Sequence, residues 1–409
     1  MDVDIFAWMN LALRWLHLIA GISWIGSSFY FVWLDNHLRP AKEPKPGLGG
    51  EVWSVHGGGF YHKQKYSVAP EHMPDELHWF KWEAYTTWLS GFALLVLIYY
   101  VSADTFLIDR SKVILTQWQA IAFGLSMLAG GWLVYDALCR SSLGKNVMVF
   151  GAIWFAVLTL AAAVMVHVFS DRGAFIHLGA MIGTVMVANV FLVIIPNQRK
   201  VVDTLSAGGT PDPLLGAQAK QRSVHNNYMT LPVLFTMISL HYPMIVGNPH
   251  NWILLAAISA VGVSIRHFFN LRHAGQIRYE YMAGGMAGFV AVMLYASSVQ
   301  NAAIPKVAAD QATFATVEGI IVRHCTSCHA AMPKHPDFDL APGGIVLENR
   351  DEIRKYATQI YEQAVVSDLM PLGNETGMTD EERAVLGAWI RRGATDETTL
   401  SDVSGGDHD

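Results

Sequence analysis

The stretch AFIHLGAMIGTVMVANVFLVIIP, Ala174–Pro196, runs for 23 residues without Asp, Glu, Lys or Arg, and the chain turns polar directly after it at Asn197, Gln198 and Arg199. As a helix rising about 1.5 Å per residue it would extend ~34 Å, enough to cross the ~30 Å hydrocarbon core of a bilayer. Lipid offers no partner to peptide groups, so helix is the form such a segment must take. Working outward, seven more stretches share this character: Phe6–Leu34, Ala84–Val101, Val113–Tyr135, Val147–Phe169, Tyr228–Val246, Trp252–Phe269 and Met282–Val299. Hydrophobic residues make up 52% of the chain and charged residues 15%, which excludes an average soluble domain. The expectation is an all-α fold whose residues 1–300 form a polytopic membrane bundle of eight transmembrane helices. The first span reads as retained, because it is too long for a signal peptide and lacks a basic start.

A second signal lies beyond the last span. Cys325-Thr326-Ser327-Cys328-His329 has the C-x-x-C-H spacing that attaches one c-type haem covalently, two thiols adding to the vinyl groups while the imidazole takes the iron. No thioredoxin-like βαβ pattern surrounds it, so a redox pair is the weaker reading. The sixth ligand of an electron-carrying haem c is usually Met. Met332 is too near His329 to reach the opposite face. Met370 opens MPLGNETGMT between the helical patterns RDEIRKYATQIYEQAVV and TDEERAVLGAWIRRG, which suits a ligand on a stiff loop; Met378 is the alternative. Thr379 with Glu382 three residues on reads as the capping box of the last helix. Residues 311–397 are therefore expected to form a class I cytochrome c domain, joined by a linker at 301–310 and followed by a disordered tail at 398–409.

Charge gives the sidedness. The segments Asp35–Glu83, Asp136–Asn146, Asn197–Asn227 and Arg266–Glu280 together hold 15 Lys and Arg, whereas Ser102–Lys112, Ser170–Gly173 and Gly247–Asn251 hold 3. Basic loops stay cytoplasmic, so both termini should face the periplasm of a bacterial inner membrane. Haem is attached covalently on that same side.

A weak internal echo aligns HLIAGISWIGSSFYF from His17 with HLGAMIGTVMVANVF from His177. It raises two four-helix halves as an arrangement and puts both histidines at one depth, with His167 and His241 at similar height. Ionisable groups inside a membrane are usually functional, so these histidines are candidates to hold a membrane haem b, with His17 and His177 the first choice for its iron. Hydrogen bonding across helices is the plain alternative. On the inner side Glu83, His225, Asn226, Asn227, Arg266 and Asn270 crowd the span ends, the groups a flat, anionic heterocycle needs. His56, His62, His72 and His78 lack tight ligand spacing, and HGGGF without G-x-S-x-G is poor evidence for a hydrolase. No nucleotide-phosphate loop is present, and no nucleic-acid partner is expected.

The runs RWLHLIAGISWIGSSFYFVWLDNHL, MVANVFLVIIPNQRKVV and QRSVHNNYMTLPVLFTMIS, with CTSCH and MPLGNETGMT, resemble the bacterial membrane-bound urate hydroxylases, in which a urate oxidase membrane domain is fused to a cytochrome c. The resemblance covers nearly the whole chain. LRWLH in the first span is also similar to the membrane-type protoporphyrinogen oxidases, over one helix only. The first resemblance implies oxidation of urate to 5-hydroxyisourate, with electrons leaving through haem c to a soluble cytochrome or terminal oxidase. On that basis Glu83 or His225 would accept a proton, and Arg266, Asn226 and Asn227 would orient the anion. A pocket around His17 and His177 is the competing site. A membrane-anchored electron-transfer subunit without substrate chemistry is the alternative function.

Overall fold

The computed structural model of the chain describes residues 5–43, 45–68, 70, 74, 76–303, 311–367 and 369–394. Helix α1 (Ile5–His37) leads to a hairpin of β1 (Leu48–His56) and β2 (Gly59–Tyr66), and α2 (Trp82–Leu95) continues through a π turn at Val96–Tyr100 into the short α3 (Ala103–Phe106). Then come α4 (Gln117–Arg140), α5 (Val147–Val168), α6 (Asp171–Ala188), a second π turn at Asn189–Ile194, α7 (Ile195–Ser206) and α8 (Pro213–Ile238). The short α9 (Pro243–Val246), α10 (Asn251–His273) and α11 (Tyr279–Ala303) complete the bundle.

Side chains start these helices where the sequence breaks. Thr116 and Gln119 close a capping box on α4, Asn146 caps α5, and Asp212 precedes Pro213 at the start of α8, each satisfying N–H groups that have no partner in the first turn. Every expected span falls on one of these helices. Six segments are long and apolar enough to cross a membrane: α1, α4, α5, the continuous α6–α7, α10 and α11. Helix α2 is short of that length before its π turn, and α8 opens with the polar run AQAKQRSVHNN.

Three expectations need correction. The fold is not purely α, because β1 and β2 pair antiparallel from Leu48 to Tyr66. The two strands meet at HGGG, where Gly57 (φ 58°) and Gly58 (φ 79°) supply the two left-handed positions of a tight hairpin turn. The fifth span does not stop at Pro196, which sits in the first turn of α7; the wide π turn ahead of it carries the helix on to Ser206. The sixth span ends early, at Ile238, so His241 lies in a 3-10 turn (Ser239–His241) and not on a helix. Of the expected linker, 301–303 still belong to α11 and 304–310 lie outside the described residues, as does the expected tail.

Helix α6 runs through the middle. Phe175, His177, Leu178, Met181, Ile182 and Val185 are all buried on it, and they pack with Tyr135, Met165 and Phe169 from α4 and α5. Close approach depends on small residues: Gly179 lies against Thr236 of α8 and Gly131 of α4 against Met181. Helix α1 is peripheral and turns Trp8, Trp15 and Ile22 outward.

Beyond α11 a small helical unit is built from α12 (Phe314–His324), α13 (Arg350–Lys355), α14 (Ala357–Ile360) and α15 (Asp380–Arg391). Val317, Ile320, Ile321, Leu386 and Trp389 form its own core. It sits on the end of the bundle that carries the three Lys- and Arg-poor connections. Thr105 donates to Asp337, the Phe106 and Phe338 rings meet edge to face at 6.2 Å, Arg172 donates to Gln363 at 3.2 Å, and Gly247 lies against Ser367.

Thr379 and Glu382 form the expected capping box on α15. Glu382 also reaches Arg323 at 2.7 Å and faces His324 at 3.2 Å, tying α12 to α15. Burial pushes the Glu382 carboxyl up, but the Thr379 N–H, Arg323 and His324 outweigh it and hold the carboxyl at about 2. A carboxylate with a depressed pKa stabilises the fold above its ordinary pKa near 4.5 and loses that contribution as pH falls towards 2. Protection of the α12 and α15 amides, taken relative to their intrinsic exchange rates, should therefore fall between pH 4.5 and 2, whereas Glu382→Gln should be less protected at neutral pH and respond less to acid.

Candidate functional site

The inner-end candidates divide into two groups on opposite sides of α8. On one side the Tyr135 hydroxyl donates to His225 Nδ1 at 2.8 Å and accepts from Asn189 Nδ2 at 3.0 Å. Asn189 also donates to Asn226 Oδ1 at 2.8 Å, and Asn226 donates to the Met186 carbonyl at 2.9 Å. Arg222 joins this network through Asn189 at 3.3 Å and pairs with Asp136 at 2.6 Å. The His225 ring stacks on Phe150 at 4.2 Å, with Cys139 Sγ 3.8 Å from its Nδ1. Apart from the Nε2 of His225, this group's hydrogen-bonding capacity is largely spent on itself.

The other side is different. Asn227 Oδ1 accepts from Arg266 Nε at 2.8 Å and from Asn270 Nδ2 at 2.9 Å, and the Arg266 guanidinium lies 3.6 Å over the Phe29 ring of α1. Three polar atoms of these same side chains, Arg266 Nη2, Asn227 Nδ2 and Asn270 Oδ1, are buried with no partner. Buried polar atoms are almost always bonded, so two donors and one acceptor left over around one amide make this group the candidate site. Glu83 has a buried, unpartnered Oε2 as well. Antiparallel packing brings Gly21 of α1 beside Thr87 of α2; Glu83, one turn earlier on α2, is thereby level with a point on α1 about one turn short of Phe29.

The four histidines proposed for a membrane haem do not converge. His17 donates from Nδ1 to the Thr87 carbonyl at 2.9 Å, over Gly91 of α2. His177 is fully buried; its Nδ1 donates to the Gly173 carbonyl at 2.8 Å and its Nε2 accepts from Tyr100 at 3.2 Å. Phe169, Tyr99 and Gly124 close around that ring. The two echo positions thus have different neighbours, α2 for one and α4 with Tyr100 for the other. His167 and His241 are exposed, and His167 bonds its own helix at Ala163. As packed, these residues do not fit a bis-histidine haem. Among the described residues no three His, Cys, Asp or Glu side chains gather as a metal set; His62 is held by Glu51, and His72 lies outside the described residues.

The CTSCH segment fits haem c. Cys325 ends α12, and the His329 N–H bonds back to the Cys325 carbonyl at 2.8 Å, which winds the three ligating side chains into one turn. His329 Nδ1 donates to the Ile345 carbonyl at 2.9 Å, fixing the ring and leaving Nε2 free as a ligand. Burial, then the neighbouring Cys328, pushes the Cys325 thiol up to about 12, the opposite of the depressed pKa that a redox C-x-x-C nucleophile needs. Met378 is 3% exposed and spent on the core of this unit, whereas Met370 is half-buried on its loop.

Sequence reasoning missed Tyr135, Asp136, Asn189, Arg222 and Phe29. Asn189 was detectable as the lone amide within the most apolar span, but the partners that Arg222 and Phe29 meet are set by packing across helices.

A helical bundle with six helices of membrane-spanning length and apolarity, a leftover donor–donor–acceptor set within it and a small helical unit at one end is the class of protein that the fold and site define. The chain belongs to the family described as urate oxidase N-terminal, whose match runs over residues 3–297. No curated protein and no solved structure matches it. Membership ties the membrane-type bundle to urate chemistry, and the match ends before the CTSCH unit.

Arg222 is only 4% exposed. Breaking a buried ion pair strands the remaining charge at a cost of about 3–5 kcal/mol, so Asp136→Ala should lower the unfolding temperature of the detergent-solubilised protein more than Arg140→Ala, which removes the exposed partner of the same carboxylate.

Proposed function

We propose that this chain is a urate hydroxylase of the inner membrane that converts urate and water to 5-hydroxyisourate, two electrons and two protons, passing the electrons to its own haem c. The observation that carries this reading is the family match over residues 3–297 on a chain that continues into CTSCH. Both termini are assigned to the periplasm, and a soluble cytochrome or a terminal oxidase would take the electrons onward.

Urate is a planar anion with carbonyl oxygens and ring N–H groups along its edges. Arg266 Nη2 and Asn227 Nδ2 would donate to an oxygen and Asn270 Oδ1 would accept from a ring nitrogen, which is the pattern these side chains leave unused. Charge-assisted bonds of this kind are strong in a water-poor site. Glu83, unpartnered at its Oε2, is the better proton acceptor; the Nδ1 of His225 is committed to Tyr135 and its ring to Phe150. His225 and Asn226 would act by fixing α8 against α4 and the Asn189 turn. Cys325, Cys328 and His329 would hold haem c with Met370 as sixth ligand; when bound, the haem supplies a one-electron acceptor. No step is assigned to a membrane haem.

Anaerobic addition of urate to the oxidised, purified protein should reduce the c-type bands. Arg266→Gln should lower kcat/KM about 10- to 100-fold, the value of one charged hydrogen bond, and Glu83→Gln should lower kcat with little change in KM. If the bands stay oxidised with urate yet respond to dithionite, the chain is an electron-transfer subunit instead.

A further inference from the structure

Beside Asp337 and Phe338, the contact between the bundle and the CTSCH unit falls on the segment that carries Met370. Leu369 is 5% exposed and packs into the core of the bundle, not that of its own unit. Gly373, at φ 56°, approaches α3's exit so closely that a Cβ there would lie 2.6 Å from the Ile108 carbonyl oxygen. From the start of α6, Arg172 donates through Nη2 to Gln363 Oε1 at 3.2 Å, and the main-chain carbonyl of Gln363 accepts the Met370 N–H at 2.8 Å. Arg172 lines an interdomain cavity with Phe106, Leu369, Leu372 and Gly373, and its Nε is buried there without a partner. From inside its own unit the same loop is held beside Met370 by Arg383, which donates to the Met370 carbonyl at 2.7 Å, and further along by His324 on Thr376 at 2.8 Å and His335 on Glu375 at 3.0 Å.

A thioether is a neutral, weak ligand, so whether it stays on iron depends on how firmly its loop is placed. Partners that orient a metal ligand commonly contribute about 10–100-fold to its binding. We infer that the bundle positions the sixth ligand of the haem: Arg172 through Gln363, and Ile108 against Gly373, hold the Met370 loop where its sulfur ligates, so that docking of the unit and binding of the methionine are one equilibrium. Arg172 is thus a positioning residue, in a part of the chain remote from the haem attachment site. The inference rests on the haem c and Met370 assignments made above, not on urate as substrate.

The test reads ligation in the full-length oxidised protein. Covalent haem is counted by pyridine haemochrome, the methionine–iron(III) bond is followed by its far-red charge-transfer band, and the midpoint potential is measured by titration. Arg172→Gln and Gly373→Val are expected to keep their haem while the methionine-bound fraction relative to the unbound falls about 10-fold, with a lower potential because methionine ligation raises it. Arg172→Lys, which keeps a donor for Gln363, should recover part of the band. An unchanged band and potential in both Arg172→Gln and Gly373→Val would overturn the inference. A wild-type protein that holds haem but lacks the band would overturn the Met370 assignment beneath it. Neither outcome depends on whether urate is turned over, so the failure of this inference and of the urate reading are separable.

Discussion

Polar groups that α6 and its neighbours carry into the bundle are mostly partnered within it. His177 is answered by Gly173 and Tyr100; Asn189 is answered by Tyr135, Asn226 and Arg222; Arg222 is answered by Asp136. In a medium without water each of these bonds is worth more when made and costs more when absent. The rest of the architecture follows from this requirement. The π turn at Asn189–Ile194 places an amide between α4 and α8, and small residues let the helices approach far enough for short side chains to meet.

That discipline makes its exceptions informative. Arg266, Asn227 and Asn270 are tied to one another yet each keeps one buried atom in reserve, while the histidine networks on the other face of α8 and around α6 are closed. Saturation argues for structure and leftover capacity argues for binding. The same contrast separates Met378, consumed by packing, from Met370, whose main chain is held by Gln363 and Arg383.

Much of this was legible from residue order, and the reasons for what was not are physical. The spans were visible because membrane-length apolarity is a property of a segment by itself, as Ala174–Pro196 shows. The capping box at Thr379 and Glu382 was equally local. The hairpin was lost inside a polar loop without residue alternation, although its Gly57–Gly58 turn was written there. The continuation past Pro196 was hidden because a proline reads as a stop unless the backbone ahead of it widens. The inner polar crowd was found as a set, but its division across α8 was not, since neighbours at 225, 226 and 227 point in directions about 100° apart on a helix with 3.6 residues per turn. Equal depth of His17 and His177 said nothing about whether they face one another.

The short connections at the docking end have one more effect. A single chain carries both units, so meeting is an intramolecular event at an effective concentration that, for short links, is in the millimolar range. The interface, which joins a hydrogen bond from Thr105, one pair of phenyl rings and a glycine packed on Ser367 to the Arg172–Gln363 bond, Leu369 and the Gly373–Ile108 approach, is met at that concentration within one chain. Because the meeting is intramolecular, occupancy of the docked arrangement stays the same whether the membrane holds few copies of the protein or many.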